Sequence, residues 1–78
     1  MSEVGLYLID LIDKGYMVEF SKRHPYLETM MIRVSFGQWS IVRIVSKIDI
    51  SYDELLITII QRMVAEIEEV IKKSEWTS

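Results

Sequence analysis

A chain of 78 residues, half of them apolar and with a net charge of −3, makes one domain spanning 1–78 with one modest core, and excludes a disordered tail. The absence of cysteine excludes disulfides and thiolate metal sites. A chain this short buries only about 60% of its unfolded surface, so an oligomeric partner is the expected source of extra stability. Charge is unevenly spread. Residues 14–47 carry Lys14, Lys22, Arg23, Arg33, Arg43 and Lys47 against Glu19 and Glu28, whereas seven acids follow from Asp49 onward. Such asymmetry bears on partners rather than on fold.

In chain order, Ser2 is a candidate N-cap. Val4, Leu8, Leu11 and Ile12 then gather on one side of a 100° wheel, which predicts an amphipathic helix over 3–14 with Leu6 outside the apolar stripe. Gly15 suits the left-handed position that ends it. Tyr16-Met17-Val18-Glu19-Phe20-Ser21 alternates and is rich in aromatic and β-branched residues, as a strand requires. Residues 22–28, which hold the only proline, read as a loop. Met30, Ile32, Val34 and Phe36 alternate in a second strand, Gly37-Gln38 turns, and Trp39 to Ser46 returns as a third.

The register of that hairpin decides what each face shows. A two-residue turn pairs Phe36 with Trp39 and places Arg43 beside Ile32, on the face that holds Val34. A three-residue turn with a bulge sends Arg33, Trp39, Ile41 and Arg43 to the opposite face, and is the expected choice because it buries no arginine. A second helix is predicted from about Tyr52 to Lys73. Ser51 and Glu54 are placed as a capping box, and Glu68–Lys72 and Glu69–Lys73 as i,i+4 pairs. The expected fold is α+β in α-β-β-β-α order: a three-stranded antiparallel sheet with both helices packed on one face.

The second helix carries two apolar seams, more than the ~100° stripe of a helix packed on one side. Ile57, Ile60, Val64, Ile67 and Ile71 form one at heptad-like spacing. It serves either as a homodimer seam or as the bed of the first helix. Arg33, Trp39, Ile41 and Arg43 on the uncovered sheet face are the candidate partner-binding residues, tryptophan and arginine being among the types enriched in interface cores. No catalytic, cofactor-binding or metal-binding set is expected. His24 is the only histidine and no thiol exists. No serine sits in a G-x-S-x-G elbow, and the three glycines are scattered. No apolar run approaches the roughly 18 residues of a membrane span. The first residues lack the basic start of an export signal, so a cytoplasmic location is expected.

The helix–three strands–helix order resembles the double-stranded RNA-binding domain. That family clamps phosphate with basic residues at the start of its second helix, where this chain has Ser51, Tyr52, Asp53 and Glu54. No functional residue carries across. Asp10-Leu11-Ile12 through Gly15-Tyr16-Met17-Val18-Glu19-Phe20, followed by Met31-Ile32-Arg33-Val34, resembles small phage and prophage proteins, among them the type II-A anti-CRISPR proteins, which are similar in layout. Those inhibitors cover the DNA-binding surface of an RNA-guided nuclease with acidic residues in place of phosphates. The acid-rich loop of that group is not evident here. The resemblance therefore implies a small host-takeover or regulatory protein in a host cytoplasm, binding and modulating a host or phage protein, and not a nuclease inhibitor in particular. The alternative is a nucleic-acid-binding module using a basic sheet face and the loop Lys22-Arg23-His24.

Overall fold

The computed structural model describes residues 3–21 and 28–77, the side chains of residues 76 and 77 excepted. The capping role expected of Ser2 and the basic loop at 22–24 lie outside the described residues. Helix α1 runs over Glu3–Asp13 and closes through Lys14, whose N–H donates to the Asp10 and Leu11 carbonyls at 3.1 Å. Gly15, at φ +99°, then turns the chain into the sheet. A side chain is disfavoured there both by that left-handed geometry and by space, since a Cβ would stand 3.2 Å from Cε2 of Phe36.

Strands β1 (Tyr16–Ser21), β2 (Thr29–Phe36) and β3 (Trp39–Ser46) form one antiparallel sheet with β2 in the centre. Tyr16 pairs with Phe36, and their rings meet at 4.7 Å and a 42° tilt. Phe36 also pairs with Trp39, Val34 with Ile41 and Ile32 with Arg43. The hairpin turn thus has two residues, not the expected three. Gly37 takes φ +60° while no residue other than glycine has positive φ among those described, the pattern of a type II′ turn with glycine in its first central position. That turn matches the twist of its strands and needs no bulge. It also avoids the cost that favoured the longer turn. Arg43 lies on an edge strand, keeps about half of its side chain in water, and meets an acid from the last helix.

Helix α2 is a single turn, Lys47–Ile50, capped by Ser46, whose Oγ accepts from the Ile48 N–H at 3.1 Å. Helix α3 follows over Asp53–Thr77. The expected capping box does not form. Ser51 ends α2 instead, its hydroxyl donating to the Ile48 carbonyl at 2.6 Å, and the Tyr52 carbonyl takes the first bond of α3 from Leu56. Ser46, directly at the end of β3, begins the helical path instead. Of the two expected helix pairs, Lys73–Glu69 forms at 3.7 Å, while Glu68 turns toward the sheet and accepts from the Tyr16 hydroxyl at 3.4 Å.

Helices α1 and α3 pack on the same face of the sheet. Ile32, Val34, Ile60 and Met63 are fully buried, with Leu11, Tyr16, Leu56, Val64 and Ile67 around them. Each such aliphatic side chain contributes about 1.5–3 kcal/mol by leaving water. The apolar seam that was a candidate dimer surface lies here: Ile60, Val64 and Ile67 are buried within the single chain and Ile57 and Ile71 are half-buried. Helix α1 packs against α3 and, together with the sheet, covers Ile60, Val64 and Ile67. No helix among the described residues is long and apolar enough to cross a membrane.

Candidate functional site: the open sheet face and the edge of β3

Strand alternation leaves the face turned away from the helices uncovered. Across it, Met17, Ser35 and Ser40 form one row, Glu19, Arg33 and Val42 the next, and Ser21, Met31 and Ile44 the third. Met17 and Ile44 are half or more exposed and Val42 is 38% exposed, an apolar border around the opposed charges of Glu19 and Arg33. Of the four residues expected on this face, only Arg33 lies there. Trp39, Ile41 and Arg43 share the helix side because the turn is one residue shorter than expected. The two arginines that would have made a basic sheet face stand on opposite sides.

On the helix side, Arg43 binds Glu66 of α3, its Nη2 at 2.5 and 2.6 Å from the two carboxylate oxygens. Both side chains are nearly half exposed, so the pair contributes up to about 1 kcal/mol. Beside it, Trp39, Ser40, Ile41, Glu66, Ile67 and Val70 line a shallow groove of about 100 Å³ between β3 and α3.

A polar cluster sits where α1 ends. Lys14 pairs with Asp10 at 2.9 Å, and this bond holds its ammonium above the usual lysine range. Burial pushes the Tyr7 phenol up, and burial followed by the nearby Glu68 carboxylate does the same at Tyr16. A phenol held protonated donates a hydrogen bond and is a poor base at neutral pH. The Tyr16–Glu68 bond therefore ties β1 to α3. Asp10 and Glu69 are taken up by lysines and Glu66 by Arg43. Among the described residues no three His, Asp or Glu gather as a cation site.

The surfaces expected from the sequence were the sheet face and the α3 seam, and the free edge of β3 was not among them. Its signal was present: Trp39–Ser46 is β-branched and aromatic, with no proline, glycine or lysine to blunt an edge. A second unassigned apolar surface, Leu6, Ile9 and Ile12, lies exposed along α1. Compared with protein-family models, curated proteins and solved structures, the chain matches none.

Proposed function

We propose that the protein acts by binding other proteins, as a small phage-type accessory factor that modulates a host or phage target and works as a homodimer. The observation that supports this reading is the open sheet face, where exposed Met17, Val42 and Ile44 surround Glu19 and Arg33. Unbranched methionines adapt to a partner's shape, and arginine is among the residues enriched at interface cores. The phage-type role rests on the resemblance carried by residues 10–20 and 31–34. The sheet arginines do not form a basic surface for nucleic acid, because Arg33 faces Glu19 and Arg43 is held by Glu66 on the other side.

The test is retrieval from a bacterial lysate by the tagged protein, with and without nuclease, beside a Met17→Glu/Arg33→Glu variant whose fold is checked by circular dichroism. A protein that survives nuclease and is lost with the variant supports the reading. Equal retrieval by both proteins, or none by either, overturns it, and a signal abolished by nuclease makes nucleic acid the ligand.

A further inference from the structure

Edge strand β3 carries a row of backbone groups with no partner among the described residues. The type II′ turn joins Phe36 and Trp39 by its own hydrogen bond, and hydrogen-bonded pairs then recur at every second residue. Residues 39, 41, 43 and 45 therefore bond inward to β2. The Lys47 N–H, which donates to the Glu28 carbonyl at 3.0 Å, continues the same series. The N–H and C=O groups of Ser40, Val42 and Ile44 point outward, and no other group among the described residues bonds to them. The edge is eight residues long and unbroken in register, whereas the edge of β1 has six and includes Glu19.

We propose that two copies of this chain pair antiparallel through their β3 edges, centred on Val42, and so form one six-stranded sheet. This inference rests on the reading that the protein works through protein contacts and supplies the homodimer with an interface. Three features select a second copy and this register. A two-fold axis normal to the sheet requires a residue to sit opposite itself, and the outward groups of Val42 make it a hydrogen-bonded pair with its own copy, flanked by Ser40 opposite Ile44 on each side. Centring on Arg43 instead would set two guanidinium groups directly opposite, which is destabilising. Centring on Val42 places each Arg43 opposite Ile41 of the second copy, at the mouth of the groove lined by Trp39, Ile41 and Val70 and closed by Glu66. The apolar walls suit the arginine stem, while each head stays on Glu66 of its own chain, so no charge is left unpaired. The register uses the strand from Trp39 to Val45, covers the exposed edges of Val42 and Ile44, and joins the two open faces into a continuous platform.

The absence of cysteine makes the register directly testable. In a hydrogen-bonded antiparallel pair the Cα atoms stand about 5.5 Å apart, within the range a disulfide spans. Under mild oxidation Val42→Cys should cross-link to a covalent dimer, and Ile44→Cys, which faces Ser40 of the second copy, should not. By sedimentation equilibrium the unmodified chain should weigh about twice its 9.2 kDa, and Val42→Lys should weaken association by about tenfold or more through like charges on the axis. Circular dichroism checks that this variant keeps its fold. A chain that stays monomeric at the highest concentration reached overturns the proposal. So does a dimer in which Val42→Cys fails to cross-link, or in which Ile44→Cys cross-links as fast. None of these readouts needs a foreign protein, so an empty retrieval from lysate leaves them standing.

Discussion

The two faces of the sheet use overlapping residue types and meet different fates. On the covered face Ile32 and Val34 are stripped of water and stacked on Ile60 and Met63, while on the open face Ile44, no less apolar, keeps half of its surface in solvent. Hydropathy does not separate the two sets; the reach of the helices does. Both helices lie over one face, and the open face lightens its load with Ser21, Ser35, Ser40 and unbranched methionines between its few larger side chains. A core thus grows where a second layer exists, and apolar residues without one are left for contacts beyond the chain.

The largest effect follows from placing the same charge on both faces. Ile60→Asp would bury a carboxylate among Ile32, Val34 and Met63 with no partner, which costs more than about 4 kcal/mol, comparable with the whole stability of a chain this small. Loss of the far-UV helical signal at 25 °C is expected. Met17→Asp, on the open face, should change stability by no more than about 0.5 kcal/mol. If thermal melts show both variants equally damaged, the open face is not open.

Much of this comparison could be read before any coordinates. The order of elements and the limits of β1 and β3 follow from alternation, from Gly15 and from Gly37-Gln38. So does the place of Leu6, 58% exposed. What could not be read was a matter of one residue. Glycine supports a two-residue turn and a three-residue turn equally well, and the choice moves Trp39, Ile41 and Arg43 to the other side of the sheet. The assumption that an arginine on the helix side must be buried was wrong because β3 is an edge, where the guanidinium stays half in water beside Glu66. The α3 seam was left open for a related reason. Helical spacing shows that Ile60, Val64 and Ile67 share a side, yet not whether α1 or a second chain lies against it. At residues 46–54 the capping box expected at Ser51 and Glu54 does not form, because a single helical turn capped by Ser46 comes first and ends on Ser51.

The two positive-φ glycines differ in a similar way, because one packs against the covered face and one against neither. Gly15→Ala imposes left-handed strain and sets a methyl 3.2 Å from the Phe36 ring, itself packed on Tyr16. Gly37→Ala imposes strain alone, with nothing within 4 Å. A loss of about 2–3 kcal/mol is expected for the first and about 1 kcal/mol for the second, which at this chain length separates their melting temperatures by about 4–8 °C or more. Equal losses would mean that the Phe36 ring yields freely and that the covered face is loosely packed at that end.

The smallest effect concerns pH and again belongs to the covered face, where the Tyr16 phenol is the polar tip of a buried ring reaching Glu68. Burial and that carboxylate raise its pKa above the ordinary value of 10.0. Below that value both folded and unfolded chains keep the proton, and the contribution of Tyr16 to stability is fully present. Above it the unfolded chain releases its proton first and binds fewer than the folded one, so stability falls with rising pH until the folded phenol also ionises. Tyr7 and Lys14 shift in the same direction, so the wild-type decline is shared among them. Denaturation midpoints measured from pH 8 upward should therefore be level at first and then decline above pH 10. Tyr16→Phe should start slightly lower for want of its hydrogen bond and decline less steeply. A variant that declines as steeply as the wild type would show that the phenol is as well solvated as a side chain of the open face, and would remove Tyr16 from the tie between the sheet and α3.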